Sequence, residues 1–297
     1  MASTGDYIRM HFIVFLWGFT AILGKLITIP PVEMVFYRTL LAAGGMAVVM
    51  LFVKGRFRVS FPDGIRLILI GFIVAIHWIT FFGSARLANV SVSLVGFATA
   101  SLWTALLEPL SNKKKINTIE VILGLLVIVG IVTIFSFDFR YKLGFVVGII
   151  SGFMASTFSV LNAKLIRRID ANTITLYEMT GAAIGILLFL PFYKTYWASD
   201  HTLQLHATAM DWVYMSILAF VCTVYAYTAA VELMKRVSVF FIQLTINMEP
   251  LYGMIMAIMV FGETEKMSLK FYIGAIIILM TVISYPFLRR KFEHQFR

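Results

Sequence analysis

Stretches of about 20 predominantly apolar residues recur along the whole chain, the length a helix needs to cross roughly 30 Å of hydrocarbon. Ten can be drawn, over residues 8–28, 33–53, 64–84, 91–110, 118–136, 143–166, 173–193, 209–230, 237–260 and 269–288. Hydrophobic residues make up 60% of the chain and charged residues 13%, with a mean hydropathy of +0.91. No water-soluble core of this size hides such an apolar excess, so lipid must solvate it. An all-α integral membrane protein of ten transmembrane helices is predicted. Only Arg9 flanks the first stretch and no small-residue cleavage site precedes Lys25, so this stretch reads as a retained span, not a signal peptide.

The net charge of +10 invites a nucleic-acid partner, but the Lys and Arg residues sit between spans, where orientation signals belong. No nucleic acid is expected. With the N-terminus inside, the cytoplasmic segments collect Arg9, Lys54, Arg56, Arg58, Arg66, Lys113 to Lys115, Lys164, Arg167, Arg168, Lys235, Arg236, Arg289 to Lys291 and Arg297. The other side keeps Lys25, Arg38, Arg86, Arg140, Lys142, Lys194, Lys266 and Lys270, so both termini are expected to be cytoplasmic. The lone Cys222 excludes a disulfide framework and a multi-cysteine metal site.

Set against itself at an offset of about 140 to 150 residues, the chain shows ordered matches. Lys25-Leu26-Ile27 falls on Lys164-Leu165-Ile166, Tyr37-Arg38 on Tyr177-Glu178, Val90-Ser91 on Val237-Ser238, and Gly124 on Gly274. Two repeats, 1–140 and 141–297, each with five spans, are predicted. An odd number of spans makes the second copy enter the membrane from the opposite face. Inverted repeats of this kind suit carriers whose halves exchange inward-facing and outward-facing packings around a midplane site.

Polar groups far from span ends must find a partner or a water-filled cavity, and so are candidates for function. In the ninth span, Gln243 and Asn247 share one helix face and Thr245 and Glu249 a neighbouring one. Pro250 removes a backbone donor, so a kink is expected there. A central acid costs roughly 2.5–3.5 kcal/mol on insertion scales, and Glu249 either binds a cation or proton, or braces the bundle through Thr245 and a neighbouring helix. In the sixth span, Ser156, Ser159 and Asn162 share a face below the Gly144, Gly148, Gly152 stripe, which reads as helix packing. Asn162 either bonds substrate or cross-braces two helices. Trp17, Trp78 and Trp103 lie inside their spans, where a ring can stack on a solute or a cation. His77 is a proton shuttle or a packing histidine, and Tyr225 with Thr228 supplies cavity hydroxyls or interhelical bonds. Lys25 and Arg38 are expected near the outer mouth and Lys164 and Glu178 near the inner one, as gate contacts or as side chains snorkelling to the headgroups.

Trp17-Gly18, Phe36-Tyr37-Arg38, Ala88-Asn89-Val90-Ser91, Glu249-Pro250-Leu251 and Gly262-Glu263 together resemble the EamA-type exporters of the drug/metabolite transporter superfamily, over nearly the whole chain. The first half departs from that pattern: Ser111-Asn112-Lys113 stands where a Gly-Glu would follow the fourth span. The resemblance implies a ten-helix bundle in a bacterial inner membrane and export of amino acids, metabolites or toxic compounds. The expected function is therefore a secondary transporter of a small-molecule substrate, as monomer or homodimer in the bilayer, with protons as a possible coupling ion and no cofactor or metal. No phosphate-binding glycine loop is present to make it an ATPase. A membrane-embedded enzyme acting on lipid is the alternative, but no His-Glu-x-x-His pair, Gly-x-Ser-x-Gly elbow or paired intramembrane aspartates supports it. A channel is a third reading, disfavoured by the inverted repeat and the mid-helix proline.

Overall fold

A computed structural model describes residues 3–55, 57–88, 90–135, 141–249, 251–252 and 269–292, without the side chains of Ala21, Lys25, Ser91, Phe135, Phe271 and Arg290. The described residues form helices and no strand. They are α1 (Thr4–Leu26), α2 (Pro31–Phe52), α3 (Phe61–Leu87), α4 (Val90–Ser111), α5 (Thr118–Phe135), α6 (Lys142–Leu165), α7 (Ala171–Tyr196), α8 (Ala209–Leu233), α9 (Val239–Ile246) and α10 (Leu269–Lys291). Among the described residues eight helices are long and apolar enough to cross a membrane, and Thr118–Ile134 is a shorter apolar helix. The chain is an integral, multi-pass membrane protein.

The sequence sets five of these helix starts with side-chain caps. Ser3 accepts from the Asp6 amide, Ser60 from that of Asp63, Asp170 from that of Thr173, Thr208 from that of Asp211 and Ser238 from that of Phe241. Each serves one amide that has no partner within its own helix. Pro31 opens α2, where its missing N–H does no harm.

Glycines let helices from the two halves touch backbone to backbone. A Cβ on Gly71 of α3 would fall 2.2 Å from the Glu178 carbonyl of α7, and one on Gly181 of α7 would fall 2.4 Å from that of Ile68. Gly96 of α4 meets Gly148 of α6 in the same way, at 2.7 Å, so the α6 stripe packs helices.

Two helices depart from regularity. Ile217–Tyr225 in the middle of α8 is π-helical, and Thr223 Oγ1 donates to the carbonyl of Leu218, five residues back (2.9 Å). The α9 helix ends at Ile246, before the expected kink at Pro250, which lies outside the described residues. Asn247 Nδ2 donates to the carbonyls of Gln243 (3.0 Å) and Leu244 (3.3 Å), which serves the helix end.

Candidate functional site

Helices α1, α2, α3, α4, α6, α8 and α9 enclose a central cavity of about 80 Å³. This is below the roughly 300–1,000 Å³ of sites for drug-sized ligands, so it suits a small solute. Trp17 and Trp78 line it, and the indole N–H of Trp17 donates to the Cys222 carbonyl (2.9 Å), locking α1 to α8. Arg38 lies with its guanidinium carbon 4.0 Å over the Trp78 ring, and its Nε donates to Thr223 Oγ1 (3.0 Å). The indole face and the hydroxyl compensate for taking this cation out of water. Glu249 also lines the cavity, with Oε1 3.2 Å from Thr20 Oγ1. No ion pair joins Arg38 to Glu249 among the described residues, so the cavity wall offers a cation and a carboxyl separately. Gln243 donates to Ser159 Oγ (2.8 Å) while its own Oε1 is buried without a partner. His77 Nδ1 lies 2.8 Å from Ser151 Oγ, and its ring packs among Phe81, Phe97 and Phe158.

The structure thus brings Trp17, His77, Trp78, Gln243 and Glu249 to one cavity and adds Arg38, which is buried in its wall (3% exposed) and not at a mouth. The reason is length: α2 begins at Pro31, so Arg38 lies two turns inside it. Glu178 is likewise no mouth residue. It is fully buried and accepts from Tyr227 Oη (2.7 Å) and Asn162 Nδ2 (3.2 Å), which places Asn162 in that cluster and off the cavity lining. Tyr225 is turned outward, 44% exposed, because the π-helical turn shifts the register; Tyr227 lines the cavity instead. Trp103 packs edge-on to Phe153, its indole N–H buried without a partner, and does not line the cavity. Asn247 serves its own helix, and Thr245 bonds the Phe241 carbonyl, leaving Thr20 as the partner of Glu249. Thr228 bonds Thr175 across α7 and α8 (2.9 Å). Lys164 lies at a helix end and donates to the Ser111 carbonyl. The Lys25 side chain and Pro250 are outside the described residues.

Contacts not foreseen form two sets at opposite ends of the bundle, separated by α2, which at about 1.5 Å per residue is roughly 33 Å long. At the end where α1 begins, the near end, Arg168 in the α6–α7 turn donates through both terminal nitrogens to Asp63 at the start of α3 (2.7 and 2.6 Å). Beside it Tyr177 Oη donates to the Phe57 carbonyl (2.9 Å). At the far end, Thr28 in the α1–α2 turn donates through its amide (2.8 Å) and hydroxyl (2.7 Å) to Asp211 at the start of α8. There Tyr37 Oη donates to the Leu205 carbonyl (2.9 Å). Every one of these contacts ties the first half of the chain to the second. A sequence signal existed: Ser60-Phe-Pro-Asp63 and Thr208-Ala-Met-Asp211 are capping pairs at the repeat offset.

Two further hollows flank the cavity. A near-end vestibule of about 810 Å³ shares Met234 with it, and a far-end pocket of about 360 Å³ shares Phe81 and Phe82. Each of these three apolar side chains lines the cavity and one flanking hollow.

The model of the EamA-like transporter family matches the chain twice, over residues 7–136 and 142–285. It is similar to an uncharacterized transporter of Archaeoglobus fulgidus, 23% identical over 262 residues, which cover 85% of this chain and 86% of that one. A solved crystal structure matches its fold with a TM-score of 0.78 at 15% identity, covering 97% of this chain and all of the other.

Proposed function

The chain belongs to the EamA-like transporter family and is a membrane transporter, and on that premise we propose that it exports small metabolites such as amino acids by alternating access. The observation that carries the mechanism is the paired contacts at the two ends. Asp63 and Asp211 are each the third residue after a hydroxyl N-cap, each is held by the turn that opens the other half's second helix, and each has a tyrosine-to-carbonyl bond beside it. Related contacts at opposite ends support two inverted repeats in a ten-span bundle, and they supply two latches that exchange when the halves rock about the cavity. The two consecutive family matches support the same division of the chain near residues 136–142.

The orientation follows the basic residues, with both termini on the cytoplasmic side of a bacterial inner membrane. The near end then faces the cytoplasm, and its vestibule, with Lys114, Lys164, Arg167 and Arg289, is the entrance for export. In the cavity, Trp17, Trp78 and Phe158 take an apolar body while Arg38, Gln243 and Glu249 take its polar groups.

Uptake of labelled amino acids, sugars and organic cations into proteoliposomes tests the reading. Saturable, solute-selective flux above empty liposomes is expected, lowered by Glu249→Gln; flux that grows linearly with every solute would mark a channel, and no flux at all would remove the proposal.

A further inference from the structure

Glu249 supplies a carboxyl group to the cavity wall. Glu178 sits outside it, on α7, fully buried. Its backbone is sealed on one side by Gly71 of α3, so close that not even a methyl group fits between them. On the other side stand Asn162 of α6 and Tyr227 of α8.

Counting hydrogens in this triad leads to the inference. Tyr227 has one hydroxyl hydrogen, given to Glu178 Oε2. Asn162 has two amide hydrogens, given to the same oxygen and to Tyr227 Oη (both 3.2 Å). All three are used. Glu178 Oε1 and Asn162 Oδ1 nevertheless remain buried with no partner. An ionised Glu178 would also lack a cation, because no ion pair reaches it among the described residues. A buried carboxylate with an idle oxygen and no counter-ion is costly, and the triad has no donor of its own left to offer. A fourth hydrogen has to come from outside.

We infer that Glu178 is a proton-binding site of this carrier, linked to the central cavity by Tyr227. One proton passes from a hydronium ion of the bathing water to Oε1; an O–H bond of the hydronium breaks as the carboxyl O–H forms, so carboxylate becomes carboxylic acid and neutral water is left. Tyr227 is the link because its ring lines the cavity, edge-on to Trp78 at 6.5 Å and beside Phe158 at 5.9 Å, while its hydroxyl holds Glu178. A solute that shifts Tyr227 takes a donor from Oε2, so filling the cavity and protonating Glu178 favour each other.

Other ionisable groups on the packed helices are engaged elsewhere. On α3, Asp63 is held by Arg168 and His77 by Ser151; they lie eight and six residues from Gly71, roughly 12 and 9 Å along the helix. On α2, Arg38 covers Trp78, and Glu33 Oε1 accepts from the Gln204 amide. On α6, Lys164 bonds Ser111, and on α8, Glu232 pairs with Lys235. Tyr227 is thus the titratable side chain bonded to Glu178.

The inference takes its use from the transport reading, but its test does not require transport. Infrared difference spectra between acidic and alkaline buffer are recorded on the whole protein in lipid, for wild type, Glu178→Gln and Tyr227→Phe. A carboxylic C=O band that changes with pH, is missing in Glu178→Gln and moves in frequency in Tyr227→Phe is the expected result. Tyr227→Phe also decides the matter if Glu178→Gln does not fold, since removing the donor must move the band. Spectra in which no pH-sensitive carboxylic band responds to either substitution would overturn the inference. A flux assay without transport beside a responsive band would count against the carrier reading alone.

Discussion

Gly71→Ala should destabilise the bundle while Gly44→Ala, one helix away, should not. The Cβ added at Gly71 would lie 2.2 Å from the Glu178 carbonyl oxygen, 2.8 Å from the Ala182 nitrogen and 2.9 Å from the Gly181 Cα. Non-bonded heavy atoms attract best at roughly 3.5–4.0 Å, so α3 and α7 must separate by about 1 Å or more. The atoms in the way are backbone, and no side chain can swing aside. Forced repacking of this kind costs roughly 1–3 kcal/mol. Gly44 has nothing within 4 Å of its added Cβ, so there the better helix propensity of alanine should leave stability unchanged or raise it by up to about 1 kcal/mol. Unfolding of the two variants in mixed micelles measures the contrast, because composition and helix context are alike and only the neighbours differ. Equal effects for both substitutions would refute the claim that α3 and α7 meet through their backbones.

Arg38→Lys keeps the charge but loses the bond to Thr223 and the planar contact with Trp78; these are worth about 2 kcal/mol together, so solute flux in proteoliposomes should fall tenfold or more. Thr20→Val removes the hydroxyl beside Glu249 at nearly constant volume, and initial rates should fall by less than in Glu249→Gln. Tyr225→Ala should leave flux within twofold of wild type, because that ring faces away from the cavity; a large loss would place the residue back in the site.

The helices were legible because lipid leaves a backbone few choices: it must bond to itself over each apolar stretch, and apart from the ninth, expected over 237–260 and found over Val239–Ile246 among the described residues, the predicted spans lie within a few residues of the helices found. Within the site, legibility depended on whether a side chain's role is set by its own helix or by a neighbour. Trp17, Trp78 and Glu249 line the cavity as their depth suggested. Arg38 and Glu178 lie near the starts of their predicted spans, which reads as a mouth position; Trp78 and Tyr227, each on the next helix along the chain, hold them inside. The exchange of Tyr225 for Tyr227 had no local signal, since a π-helical turn is set by tertiary packing. The end contacts were half legible. Tyr37 and Tyr177 stood out at the repeat offset, whereas Thr28 and Arg168 are chemically unlike, and only their common partner type, an aspartate at a helix start, relates them.

Accessibility at the two ends of the bundle tests alternating access most directly. In a Cys222→Ala background, single cysteines at Ala163, in the near-end vestibule, and at Ala85, in the far-end pocket, report opening through their rates of labelling by a water-soluble maleimide. Thr28→Val deletes one hydrogen bond to a charged carboxylate, worth about 1.5–3 kcal/mol, so the far end should open tenfold or more in population. Labelling at Ala85→Cys should then rise while labelling at Ala163→Cys falls, and Arg168→Ala should reverse both changes. Rates that rise together at both ends would mean that the contacts merely hold the bundle together, and would contradict the account.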